Sequence, residues 1–139
     1  MSYKIISKFI KDISFEIPST KAFVMLEKEI ANYALNFDIK SNPYKNNIIE
    51  VNTTLKISPN ENVKHKILTE ITCTTLVSIE KNFEDKKELE KIILIKIPME
   101  IFPLLYETFV YLFKQAGIKN IQIEKTVDFQ KMYDKRKNN

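Results

Sequence analysis

The sequence predicts an α+β fold, a four-stranded antiparallel sheet with helices packed on one face. Three observations lead there. Four segments before Lys81 alternate apolar and polar residues with period two, the period of a strand. Beyond Lys81 the spacing changes to threes and fours, the period of an amphipathic helix. Strands and helices also come largely in blocks rather than in regular alternation, which disfavours a parallel sheet built from βαβ units. At 139 residues and 44% hydrophobic content the chain can bury one core, so residues 1–139 are expected to form a single domain.

The first strand carries Tyr3, Ile5, Phe9, Ile13, Phe15 and Ile17 at odd positions and Lys4, Lys8, Asp12, Ser14 and Glu16 at even ones. Its odd side chains should face the core. Asp12 and Glu16 then share the outward face, roughly 13 Å apart at about 3.3 Å per residue. Pro18, Ser19 and Thr20 end the strand and supply an N-cap for a short helix from Ala22 to about Ile30. Tyr33, Leu35, Phe37 and Ile39 alternate with Asn36, Asp38 and Lys40 in a second strand, closed by a turn through Ser41, Asn42, Pro43, Asn46 and Asn47. A third strand from about Asn47 to Ile57 turns Ile49, Val51, Leu55 and Ile57 inward, and Ser58 to Asn62 connect it to a fourth, Val63 to about Ile79. That length predicts strong twist or a bulge within the fourth strand.

Phe83 to Leu94 is helical in composition, and the strongest helix follows Pro98, with Phe102, Leu105, Phe109, Leu112, Phe113 and Ala116 on one stripe. This stripe reads as core or interface, with Phe102 at the exposed start of the helix. Gly117 stands where a C-cap glycine belongs. Ile118 to Val127 forms an irregular return, and Asp128 can cap a last helix from Phe129 to about Lys135.

Composition narrows function. Lys and Arg total 22 against 18 Asp and Glu, a formal charge of +4, but basic and acidic residues alternate along most of the chain. The basic run Lys131 to Lys137, with Tyr133, is the one candidate for nucleic-acid binding, and a nucleic-acid partner is not expected. The single cysteine, Cys73, rules out an internal disulfide and suits a reducing compartment. Lysines interrupt the amino terminus, so no signal peptide is expected. Lys96, Pro98, Glu100 and Glu107 break the most apolar stretch, so no membrane span is expected and the location should be cytoplasmic. One glycine, Gly117, cannot build a phosphate-cradling loop. His65 and Cys73 would lie roughly 26 Å apart along one strand at about 3.3 Å per residue, too far for a nucleophile pair. Acid pairs at Glu84 and Asp85, or Glu88 and Glu90, sit among lysines as an exposed helix face. No catalytic residue, metal site or cofactor is expected.

The block Lys11-Asp12-Ile13-Ser14-Phe15-Glu16, followed by Pro18, resembles the KDISFE-x-P signature of the SecB family of bacterial protein-export chaperones. Ile101-Phe102-Pro103 and Val127-Asp128-Phe129 are similar to that family's LFP and VNF landmarks, so the resemblance spans the chain. It implies a homotetramer, a dimer of dimers, that binds unfolded precursor proteins without ATP and passes them to the SecA motor. It further implies a SecA-docking surface at Asp12, Glu16, Leu68 and Glu70. Bottom-up, Asp12 and Glu16 share one outward strand face, and Leu68 and Glu70 share that of another. The chain departs from the family's acidic composition and tryptophan-bearing early loop in being basic and lacking tryptophan. A SecB-like chaperone dedicated to one client, such as an antitoxin, is the alternative; a small basic nucleic-acid-binding protein is a further one.

A holdase must expose apolar surface to water, so apolar residues on polar faces are the candidate client contacts. These are Ile6, Ile10 and Leu76, with Leu68 on the same criterion, and Phe102 at the helix start. Each could instead pack beneath the helices or at a subunit interface.

Overall fold

β1 (Tyr3–Glu16), β2 (Tyr33–Lys45), β3 (Ile48–Pro59) and β4 (Leu68–Ile79) form one antiparallel sheet in the order β1-β4-β3-β2. The structure, a computed structural model, describes residues 3–59, 66–80, 85–119, 123 and 126–137. The expected start of the fourth strand at Val63, and His65 with it, lie outside the described residues.

The register assigns each paired strand residue to a face, because directly paired residues of an antiparallel ladder point the same way. On β4, Thr69, Ile71, Cys73, Thr75 and Val77 are buried beneath the helices, and Val51, Thr53, Leu55 and Ile57 of β3 stand beside them. Leu35, Phe37 and Ile39 of β2 complete that face. Alternation along β2, β3 and β4 is as the sequence predicts.

β1 departs from it. Register shifts between Ile5 and Ser7 and between Ile10 and Asp12 insert Ile6 and Lys11 as extra residues. Each bulge flips the parity of the strand residues beyond it. Phe9, expected inward, pairs with Thr74 on the open face and is 47% exposed. Ile10 instead pairs with Cys73 and packs against the core. The second bulge restores the odd positions to the helix side, but Ile13 there is still 45% exposed because it lies on an edge strand. The irregularity expected in β4 is thus carried by its neighbour.

β2 also outlasts its expected end. Ser41, Asn42 and Pro43 still pair with Val51, Glu50 and Ile49, and the reversal is made by Asn46 and Asn47, with Asn46 at φ 52°. Asparagine tolerates that left-handed conformation. Pro43 is accommodated since an edge strand can spare an amide donor.

α1 (Thr20–Glu29) starts where the Ser19 hydroxyl accepts the Ala22 N–H at 3.1 Å. α2 (Lys86–Lys91) is capped by the Asp85 carboxylate, which accepts the N–H groups of Lys87 and Glu88. A π-helical turn, Ile92–Lys96, joins α2 without a break to α3 (Ile97–Gln115). Pro98 follows the π-helical turn directly, so the helical run passes through a residue that offers no backbone donor, next to the turn where the hydrogen-bond pattern already departs from the α-helix. The helix is therefore continuous through Pro98, which corrects the placement of Phe102: it lies in the helix body, 7% exposed, not at an open start.

Leu105, Phe109 and Phe113 of α3 pack onto Leu55, Ile71 and Cys73. A second cluster joins Val51 and Val77 to Ile92 and Ile97. Gly117, at φ 90°, ends α3: its N–H donates to Lys114 O and the Ile118 N–H to Phe113 O, both at 3.0 Å, the paired bonds of a Schellman cap. α4 (Phe129–Lys137) is capped as predicted, the Asp128 carboxylate accepting the Lys131 N–H at 2.9 Å.

Candidate functional site

The face of the sheet turned away from the helices is polar. Thr54 and Thr72 share a hydrogen bond of 2.8 Å across β3 and β4, and the Thr74 hydroxyl donates to Asn52 Oδ1 at 2.6 Å. Asn52 in turn donates to Glu50, which Lys11 approaches at 4.0 Å. At one end of this face, Glu16 pairs with Leu68, Ser14 with Glu70, and Asp12 with Thr72. Asp12, Glu16, Leu68 and Glu70 thus form one patch. Diagonal neighbours across an antiparallel pair stand about 7–8 Å apart, so Glu70 falls within reach of both β1 carboxylates. Leu68, 51% exposed, is the apolar point among three acids. A shallow cavity of about 340 Å³, bordered by Ser14, Lys56, Lys66, Leu68 and Glu70, opens beside it. Lys56 pairs with Glu70 from β3, so the patch is acidic with a cationic rim.

The second feature is a furrow along β2, between that strand, the π-helical turn and α4. Three depressions follow one another: about 230 Å³ by Leu35 and Phe37, 270 Å³ by Phe37 and Ile39, and 380 Å³ by Ile39 and Ser41. Phe37 and Met132 are shared by the first two, and Ile39, Leu94 and Arg136 by the last two. Alternate residues of a strand stand about 7 Å apart on one face, so the depressions repeat with the spacing of side chains on any extended chain laid alongside. The floor is aromatic and closely packed. Phe37 meets Phe129 at 5.0 Å and Phe102 at 5.8 Å, both edge to face, and Phe102 contacts Tyr106 below. Such pairs contribute about 0.5–1.5 kcal/mol each beyond area burial. Above this floor Met132 and the half-covered Ile39 and Leu94 are accessible.

Comparison with known proteins decides the family. The profile of Preprotein translocase subunit SecB matches residues 1–139, the whole chain. The chain belongs to the SecB family. A putative protein-export protein SecB from Pelagibacter ubique (strain HTCC1062) is 43% identical over 137 residues, covering 99% of this chain and 98% of the relative. Protein-export protein SecB from Anaplasma phagocytophilum (strain HZ) is 29% identical over 143 residues, covering 93% and 89%. Among solved structures, a Mycobacterium tuberculosis SecB-like chaperone in complex with a ChAD peptide from the HigA1 antitoxin shares the fold at TM-score 0.63 and 10% identity, covering 90% of each chain. The function of this SecB-family chain is that of a protein-export chaperone, which binds unfolded client proteins. No helix among its described residues is long and apolar enough to cross a membrane.

On this SecB-family scaffold the predicted docking residues converge, whereas the predicted client contacts scatter. Ile6 is 49% exposed at the first bulge of β1. Ile10 lies half-buried under the helices, and Leu76 is half-buried on the open face opposite Ser7 and Glu50. Phe102 supports the furrow from beneath through Phe37 and Phe129. The furrow's own residues, Phe37, Ile39, Leu94, Met132 and Arg136, are not distinguished by the sequence. Phe37 and Ile39 read there simply as members of the apolar side of a strand. What sets them apart is that β2 is an edge, a fact of sheet order that alternation does not carry.

Proposed function

We propose that this chain is an ATP-independent holdase that keeps unfolded precursors in the furrow along β2 and offers its open sheet face, through Asp12, Glu16, Leu68 and Glu70, to the SecA motor. The observation that carries this reading is the separation of the two features onto opposite faces of one sheet. A client held on one side leaves the acidic patch free for a motor on the other. An apolar floor with alternating depressions suits extended chain of varied sequence, and several weak contacts along one client add through effective concentration. The acidic patch suits steering of a complementary, basic partner surface.

The working form is a cytoplasmic homotetramer, a dimer of dimers. Two free surfaces support it: the β1 edge, with Ile6, Phe9 and Ile13 exposed, and the outer side of α3, with Met99 and Tyr111 exposed. Copying the furrow in each subunit multiplies the contacts available to one client.

The test is light scattering from an unfolded, aggregation-prone protein diluted into buffer with and without the chain, in the absence of ATP. Suppression near one tetramer per client is expected. Asp12→Lys with Glu16→Lys should retain suppression and lose SecA binding. Unchanged scattering at several-fold excess of assembled protein overturns the holdase reading, and undiminished SecA binding by the double variant overturns the docking assignment.

A further inference from the structure

The charges around the furrow lean positive, four cations against three carboxylates. Lys86, Lys131, Lys135 and Arg136 border the three depressions, with Arg136 between the second and third. The acids on the same walls are Asp38, Asp128 and Glu90. Two of these are already engaged. Asp128 accepts the Lys131 N–H as the cap of α4, and Asp38 lies 3.8 Å from Lys40. None of the four cations has an ion-pair partner among the described residues. α4 ends in Lys135, Arg136 and Lys137, with the Lys137 ammonium over the Tyr133 ring. The acids of the docking patch stand on the opposite face of the sheet.

From this we infer that the furrow selects extended client segments whose aromatic or aliphatic residues are flanked by aspartate or glutamate, and discriminates against segments flanked by lysine or arginine. The inference rests on the furrow being the client site and adds its charge preference. Apolar side chains at alternate positions fill the depressions. Flanking carboxylates then meet the unpaired ammonium and guanidinium groups of α4 and Lys86, while flanking cations meet like charge. Each exposed pairing is weak, about 0–1 kcal/mol, but four cations act together on one segment. The preference is electrostatic and therefore sensitive to salt.

The experiment uses the full assembled chain and three fluorescent peptides with one alternating Phe/Leu core, flanked by Glu, Ser or Lys, with binding read by anisotropy. At about 0.1 M salt the Glu-flanked peptide should bind about tenfold tighter than the Lys-flanked one, and the ratio should fall to within about twofold at about 1 M, where the screening length is near 3 Å. Lys131→Glu, Lys135→Glu and Arg136→Glu together should invert the ratio; should that variant not fold, Arg136→Gln alone should lower it. A ratio at or below one at low salt, or one indifferent to salt and to these substitutions, overturns the inference. The Ser-flanked peptide tests the underlying reading separately. It should bind, and the uncharged truncation Met132→Ser should weaken all three peptides alike. Failure of the Ser-flanked peptide to bind overturns the client site and the charge preference with it, whereas Ser-flanked binding with no Glu preference overturns the preference alone.

Discussion

At the scale of single residues, Gly117 shows how a conformational demand appears in sequence. Its φ of 90° is open to glycine and strained for any side chain, and the Schellman bonds to Lys114 and Phe113 depend on it. A methyl group placed there would meet only the Phe23 ring at 3.6 Å, an ordinary contact. Gly117→Ala should therefore cost about 1–2 kcal/mol through the backbone alone. A lowered urea midpoint, whose shift multiplied by an unchanged slope equals that loss, is the expected result; an unshifted midpoint would mean that the cap contributes nothing. The shared face of Asp12 and Glu16 was legible at this scale because they are separated by an even number of positions with no bulge between them. The faces of Phe9 and Ile10 were not, because a bulge leaves no mark in a run that is apolar on both sides.

At the scale of elements, α4 connects local capping to the furrow. Phe129 and Tyr133 anchor the helix in the aromatic cluster, and Met132 and Arg136, next to them on the same helix face, complete the furrow wall. Asp128→Ala removes the carboxylate that accepts the Lys131 N–H and should cost about 1 kcal/mol of helix stability. The expected consequence is faster amide hydrogen exchange confined to α4, with weaker peptide binding and little change in the unfolding of the sheet. Exchange in α4 equal to that of the parent protein would detach the cap from the furrow. The cap, the Gly117 terminus and the Ser19 start of α1 were all readable, since each depends on residues within a turn of one another. Continuity from α2 through the π-helical turn into α3 was not, because Pro98 reads equally well as a boundary or as a first-turn residue.

At the scale of the whole molecule, the sheet has two free edges that differ in character. β2 is flanked by helices and a furrow, whereas β1 presents Ile6, Phe9 and Ile13 with no covering element among the described residues. Long exposed apolar edges invite pairing with another strand, and a second copy of β1 satisfies the same edge symmetrically. Ile6→Asp with Phe9→Asp should shift the assembly toward smaller species in size-exclusion chromatography with light scattering, while leaving the far-ultraviolet circular dichroism unchanged. An unaltered mass would exclude this edge from assembly. By itself the sequence determined the fold class, the four strands and the principal helices, because periodicity and capping are local consequences of chain geometry. Through the KDISFE-x-P block it also pointed to the residues now proposed for docking. Only the tertiary structure decided that Leu68 and Glu70 join Asp12 and Glu16 in one patch, that β2 is an edge, and that α4 lines it with cations. Each of these depends on which strands become neighbours, and that choice belongs to the packing of the whole core rather than to any local run of residues.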